Sequence, residues 1–173
     1  SFPAQRLDAS ILLKDIYSPL FYDNFSKVLS ETVPEFDKEK FIDLIYDENW
    51  DKRELKSRMK HTAIVLHEFM PQDYKAAGEL IQKIIFKIKQ KPFTNSSFPF
   101  MFFPEYIESY GLEDFETSVE LIEMVTQFIS CEFAVRPFIV RYEKEMLTKM
   151  TEWSLHENYH VRRLASEGSR PRL

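Results

Sequence analysis

Glycine and cysteine are scarce in this 173-residue chain, which contains three glycines and one cysteine. So few glycines argue against a β-rich fold with many tight turns and against glycine-rich phosphate-binding loops. Cys131 has no partner for an internal disulfide, which favours a cytoplasmic protein. No apolar run approaches the roughly 18–20 residues of a membrane span, so we expect no membrane partner.

The chain is also short of positive charge overall, because its net charge is −5. Taken alone, this value disfavours binding to nucleic acid. The charges are unevenly distributed, however. The last fourteen residues hold four arginines against one acid, namely Arg162, Arg163, Arg170 and Arg172 against Glu167. A local basic stripe of this kind can bind a polyanion although the whole chain is acidic.

What the chain does contain is a succession of apolar patterns with helical spacing, separated by proline, aspartate or glycine. Capping residues before these patterns mark the helix starts. We predict helices of ten to nineteen residues. They run from Ser18-Pro19 to Pro34, from Asp37 to Trp50, from Asp51 to Phe69, from Asp73 to Lys91, up to Tyr110, from Asp114 until Pro137 interrupts, from Phe138 to Trp153, and from Glu157 to Gly168.

One segment, 92–104, interrupts the helical pattern with three prolines and five phenylalanines. Because proline cannot sit in a helix interior, we expect a loop or a short helix that is inserted into the core. Helix pairs of roughly 35–45 residues predict an all-α fold of HEAT-like antiparallel repeats, stacked into a curved superhelix. We expect a single domain over residues 1–173, with a globular helical bundle as the alternative.

The segment His-Glu-Asn-Tyr-His at 156–160 matches the zinc-protease pattern H-E-x-x-H. On one helix His156 and His160 would share a Zn²⁺, with Glu157 as the general base. The third ligand is missing, because the extended form of the pattern would need glycine at Arg163 and histidine at Ser166. We therefore expect no metal cofactor and keep a zinc hydrolase only as an alternative.

Two acid–arginine pairs lie four residues apart, one helical turn, and each stands among apolar neighbours. They are Glu132 with Arg136 and Arg163 with Glu167. As surface ion pairs they would contribute only about 0.2–0.5 kcal/mol each. Charges at the edge of a core are costly unless they have a firm partner or a function, so both interpretations stay open. For Cys131, a buried structural thiol is favoured over a nucleophile.

At these same residues the sequence resembles the AlkC branch of the AlkC/AlkD-like DNA alkylation repair glycosylases. The resemblance is most specific in Ser130–Phe138, in Trp153 with Asn158, and in 160–173, which contains Val-Arg-Arg-Leu-Ala-Ser-Glu-Gly-Ser-Arg-Pro-Arg-Leu. It implies HEAT-like repeats and a monofunctional DNA glycosylase. Such an enzyme removes N3-alkylated bases, here 3-methyladenine, with 3-methylcytosine as a second candidate.

The resemblance also implies roles for individual residues. Glu132 matches an active-site glutamate, Glu167 a second one, and Arg163 the arginine one turn before it. The carboxylates would stabilise an oxocarbenium-like sugar, while Arg163 would orient Glu167 or hold a phosphate. The expected partner is alkylated double-stranded DNA, without a cofactor or an obligate protein partner. The expected DNA-binding residues are Arg136, Arg162, Arg163, Arg170 and Arg172.

The chain departs from the family pattern at its end. In the family, Pro-Trp follows directly after Arg-Pro-Arg-Leu and a catalytic aspartate comes from a later helix, whereas this sequence stops at Leu173. We therefore expect the N-terminal portion of a longer protein, without that aspartate. A non-catalytic helical-repeat scaffold that binds DNA or protein is the alternative.

Overall fold

The computed structural model describes residues 13–92 and 96–170, and it contains no strand within those ranges. This confirms the predicted all-α class. Two short 3₁₀ turns lie at Trp50–Lys52 and Phe98–Met101. The nine α-helices bounded within the same ranges are α1 (Pro19–Thr32), α2 (Lys38–Ile45), α3 (Leu55–His67), α4 (Tyr74–Lys89), α5 (Phe102–Tyr110), α6 (Phe115–Val125), α7 (Glu132–Arg141), α8 (Glu143–Ser154) and α9 (Tyr159–Gly168).

Side-chain caps begin several helices where the sequence predicts them. The Ser18 hydroxyl accepts a hydrogen bond from the Phe21 N–H at 3.1 Å. The Asp37, Asp73 and Asp114 carboxylates cap α2, α4 and α6 in the same manner, each at the third helical N–H. Such a bond satisfies one of the donors that a helix start leaves without a partner. These four starts are therefore encoded locally.

The predicted helix start at Asp51 is wrong. Residues Trp50–Lys52 form the 3₁₀ turn, and α3 begins only at Leu55. Arg53 is extended, with φ −78° and ψ 130°, so the helix cannot pass through it. Its guanidinium donates to both carboxylate oxygens of Asp47, at 2.9 Å for Oδ2. A contact with a residue six positions earlier thus delays the helix.

The predicted interruption at Pro137 is wrong as well, because α7 runs through it to Arg141. Proline fixes φ near the helical value, but it removes one backbone donor and crowds the carbonyl four residues earlier, so the surrounding packing must retain the helix. The break comes at Tyr142, with φ −121° and ψ 52°. Its hydroxyl donates to the Leu112 carbonyl at 2.7 Å, which anchors the corner between α7 and α8.

The helices pack in two layers. In one layer α3, α5, α7 and α9 are neighbours in that order. In the other layer α4 lies between α1 and α6. The pairs α5–α6 and α7–α8 connect the layers, so successive helix pairs stack along one direction. No helix in the described part of the chain combines the length and the apolar character needed to cross a membrane.

Three phenylalanines of the aromatic segment lie between the layers, as the sequence predicts. Phe98 is 40% exposed, and Phe93 lies outside the described residues. Phe100, Phe102 and Phe103 are completely or almost completely buried. Phe25 of α1 packs against the Phe102 ring with centroids 5.2 Å apart. Burying each such ring contributes about 1.5–3 kcal/mol. Pro104 falls in the first turn of α5, where a missing N–H costs nothing, so it does not occupy a helix interior.

Two glycines give a matched test of packing between the layers. A Cβ on Gly111 would lie 2.0 Å from the Tyr74 hydroxyl and 2.4 Å from the Ser118 hydroxyl, whereas one on Gly78 would meet nothing closer than 3.6 Å. We expect Gly111→Ala to lower the free energy of unfolding by about 1–3 kcal/mol. Gly78→Ala, within α4, should raise it by about 0.5–1 kcal/mol. Urea unfolding measures both, and equal effects would contradict this packing.

Candidate functional site

A cavity of about 380 Å³ opens where α7 and α9 lie side by side. Both elements contribute charged side chains to it, and the segment between α6 and α7 supplies the remaining wall together with Ser97. The lining residues are Ser97, Thr126, Phe128, Ile129, Ser130, Glu132, His160, Arg163, Leu164 and Glu167. Three residues selected from the sequence as catalytic candidates therefore meet at one surface.

Glu132 is the first residue of α7, and the short turn before it fixes its direction. The Glu132 N–H donates to the Ser130 hydroxyl at 3.3 Å. The Cys131 N–H lies 3.4 Å from Thr126 Oγ1. A carboxylate in the first helical turn is stabilised by the helix dipole. Arg136, one turn later, donates to Glu132 Oε1 at 3.2 Å, so the predicted pair exists.

The second wall is α9, which Asn158 caps by accepting from the N–H groups of His160 and Val161. Arg163 Nε donates to Glu167 Oε1 at 2.7 Å, which confirms contact within the second predicted pair. This hydrogen bond raises the pKa of Arg163 above its usual value, so the guanidinium stays charged. Glu167 is half-buried, and Arg163 is exposed.

Gly168 sets the distance between the two walls. It is the last residue of α9, as predicted, but no glycine in the described ranges has a positive φ. A Cβ at this position would lie 2.9 Å from Val135 Cγ1 and 3.1 Å from Met150 Cε. Glycine is therefore required for close approach of α9 to α7 rather than for a left-handed turn.

The arrangement combines two carboxylates and one permanent cation at a partly enclosed surface. Charges interact more strongly at such a surface than in bulk water, at an effective dielectric constant of about 20. A positive charge that develops inside the cavity would be attracted by both Glu132 and Glu167. The cavity is thus suited to stabilise a cationic centre, while Arg163 holds Glu167 in one orientation.

The structure separates the arginines that the sequence groups together. Arg163 lines the cavity, but Arg162 lies on another face of α9 and donates to the carbonyls of His156 and Glu157 at 2.8 and 2.9 Å. Arg136 and Arg170 line a second cavity beside the first. Arg172 lies outside the described residues.

The described residues give the zinc alternative no geometric support. Because α9 begins at Tyr159, His156 precedes the helix and the two histidines do not lie one helical turn apart. His156 Nδ1 accepts from the Asn158 N–H at 2.9 Å. Within 13–92 and 96–170, no group of three or more His, Cys, Asp or Glu side chains has the arrangement to hold a metal.

Sequence reasoning missed a polar network behind α9. Glu123 of α6 accepts from Trp153 Nε1 at 2.7 Å, and its other carboxylate oxygen lies 4.0 Å from His156 Nε2. The network connects α6, α8 and the turn before α9. Trp153 and Asn158 were selected only through the resemblance. The partner of Trp153, Glu123, lies thirty residues away and leaves no local pattern. Asn158 is a local cap of α9, which the predicted helix start at Glu157 overlooked.

No family model matches the chain. A search of solved structures finds the Pseudomonas fluorescens alkylpurine DNA glycosylase AlkC, bound to DNA containing an abasic site analogue. The two share 34% sequence identity with a TM-score of 0.82, over 93% of this chain and 43% of that one. The chain is therefore similar to this AlkC in sequence and in fold. This confirms the resemblance and the helical-repeat architecture predicted from the sequence.

An uncharacterised protein of Bacillus subtilis (strain 168), YhaZ, is a second similar protein. It is 37% identical over 161 residues, which make up 93% of this chain and 43% of YhaZ. The chain therefore spans less than half the length of both relatives.

Cys131 directly precedes Glu132, and its burial gives a test of the wall of the cavity. The thiol is fully buried, and burial raises its pKa above the usual range. Because the thiolate is the reactive form, we expect no measurable reaction with a disulfide reagent in the native protein, even at pH 9. Guanidinium should restore one reactive thiol. Rapid native labelling would show that the turn before α7 opens.

Proposed function

We propose that this AlkC-like chain forms part of a DNA glycosylase that hydrolyses the N-glycosidic bond of N3-alkylated bases. The substrate is 3-methyladenine in double-stranded DNA, with 3-methylcytosine as the second candidate. The observation that supports this proposal is the convergence of Glu132, Arg163 and Glu167 on one cavity from two helices. The similarity to a solved alkylpurine DNA glycosylase agrees with it.

Hydrolysis of this glycosidic bond requires from the protein mainly negative charge close to the reacting sugar. An N3-alkylated adenine carries a positive charge, so it leaves with the bonding electron pair without prior protonation. The deoxyribose then becomes oxocarbenium-like, and water completes the hydrolysis by attack at C1′. Carboxylates held in place before the reaction stabilise such a cation without reorganising. We assign this role to Glu132 and Glu167.

The two carboxylates accept hydrogen bonds from different arginines. Glu167 accepts from Arg163 at 2.7 Å, and Glu132 accepts from Arg136 at 3.2 Å. Each arginine offsets part of the repulsion between the two carboxylates in one cavity. Arg163 is the more exposed of the two arginines. It is therefore placed to reach a DNA phosphate while it orients Glu167.

Removing either carboxylate tests the catalytic assignment. We expect Glu132→Gln and Glu167→Gln to lower the rate of 3-methyladenine release from methylated duplex DNA by about a hundredfold or more, the scale found for removing a single stabilising group. Glu120→Gln, an exposed acid on α6 in the other layer, serves as the matched control. The assay uses this chain and any longer protein that contains it.

The outcomes separate the two functional interpretations. Loss of release in the two cavity variants, with normal unfolding curves and an active control, supports the enzyme. Tight binding to duplex DNA without release of any alkylated base from the chain or the longer protein would contradict it. That result would favour a DNA-binding scaffold.

The salt dependence of DNA binding tests the arginines separately. Each neutralised phosphate contributes a slope of about −0.9 to a plot of log K against log salt concentration. We expect Arg163→Gln to reduce the magnitude of that slope by about 0.9, which corresponds to the loss of one phosphate contact. Arg162→Gln is the comparison, because its guanidinium is bound to two carbonyls. An equal change in both variants would show that DNA reaches both faces of α9.

A further inference from the structure

The turn between α8 and α9 contains a histidine whose two ring nitrogens have different partners. His156 Nδ1 accepts a hydrogen bond from the Asn158 N–H at 2.9 Å. A ring nitrogen that accepts carries no proton, so this bond requires the neutral imidazole with its proton on Nε2. Nε2 lies 4.0 Å from Oε2 of Glu123 in α6. That contact is longer than a hydrogen bond and acts electrostatically.

The partners of His156 are themselves fixed. Trp153 Nε1 donates to the other carboxylate oxygen of Glu123, Oε1, at 2.7 Å, and the Trp153 side chain is buried. Asn158 caps α9 by accepting from two N–H groups of the first helical turn. These four residues, Glu123, Trp153, His156 and Asn158, form one connected set that we call the His156 clamp. It joins the last turn of α6 and the end of α8 to the start of α9.

The clamp connects two walls of the proposed catalytic cavity. Thr126, three residues after Glu123, lines one side of it. The capped start of α9 leads to Glu167, which lines the cavity from another side. Gly168 holds the opposite end of α9 against α7. Because α9 is a single helix of ten residues, a shift of its first turn also displaces Glu167 near its end.

We propose that His156 is a positioning residue of the glycosylase site, which holds α9 and its Glu167 at a fixed place relative to α6. The reaction in this proposal rests on the proposed function, whereas the hold of the clamp on α9 does not. Displacing a catalytic group by about 1 Å can lower a rate by about a hundredfold. Because His156 does not line the cavity, it acts on the reaction through the position of Glu167.

Two substitutions separate the functions of the two nitrogens. In His156→Asn the amide oxygen takes the place of Nδ1, so the bond from the Asn158 N–H is kept and the contact with Glu123 is lost. In His156→Gln the amide N–H group takes the place of Nε2, so the contact with Glu123 is kept and the acceptor is lost. An N–H without an acceptor is the larger loss, so we expect His156→Gln to be the more damaging change.

Hydrogen exchange measures the hold on α9 without any reaction. In the peptide that covers α9, we expect His156→Gln to exchange about two- to tenfold faster than wild type, the scale of one lost hydrogen bond. The matched control is His67→Gln. His67 is also half-buried, and its Nδ1 is bonded to the Tyr106 hydroxyl at 2.9 Å, but α5 and α7 separate its helix from α9. The control should leave the exchange of α9 unchanged. Wild-type exchange of α9 in His156→Gln would overturn the clamp.

Release of 3-methyladenine from methylated duplex DNA measures the positioning. We expect His156→Gln to lower kcat by about ten- to a hundredfold with KM near the wild-type value, and His156→Asn to lower it by a smaller factor. In a Glu167→Gln background, His156→Gln should change kcat by less than about twofold, because the group that it positions is absent. In a Glu132→Gln background its effect should persist, since Glu132 is held by α7.

The possible results distinguish this proposal from the proposed function. If the wild-type protein releases no alkylated base, the proposed function fails, and hydrogen exchange still decides whether the clamp holds α9. If the wild type releases the base and His156→Gln keeps wild-type kcat, His156 is not a positioning residue. The same conclusion follows if His156→Gln lowers kcat equally with and without Glu167. A purely structural role would lower stability without this dependence on Glu167.

Discussion

The close contact between α7 and α9 is the constraint on which the candidate site depends. Gly168 permits it, because any side chain there would overlap Val135 of α7. Each helix brings its own acid and its own arginine, four residues apart. The two ion pairs line one cavity only because α7 and α9 lie close together. A small residue at a packing contact thereby controls the spacing of Glu132 and Glu167.

Burial alone does not distinguish a structural arginine from a functional one, but acceptors do. Arg58 and Arg53 are held by carbonyls, an aromatic ring and a carboxylate, so they serve the fold. Arg162 joins them, since it binds the carbonyls before α9. The exposed Arg163 binds Glu167 and lines the cavity that we assign to DNA, where a phosphate can supply a further acceptor.

Most helix starts could be predicted from the sequence because a cap is a contact over three residues. Asp37, Asp73 and Asp114 show this. The helix boundaries that were predicted wrongly depend instead on contacts between residues further apart in the sequence. Arg53 delays α3 through Asp47, and the corner at Tyr142 depends on Leu112, thirty residues away. Pro137 stays helical against its local preference. Contacts of this length leave no periodic pattern, so pattern reasoning cannot detect them.

The sequence by itself determined the all-α class, the aromatic insertion and both acid–arginine pairs, because helical spacing and caps are local properties. The AlkC-like resemblance likewise lay in contiguous residues, and the comparison with a solved relative confirmed it. Tertiary structure decided the rest. It delayed the start of α3 through the Arg53–Asp47 contact and kept α7 helical through Pro137. It also brought α7 beside α9, because packing between distant segments selects which local motifs share a surface.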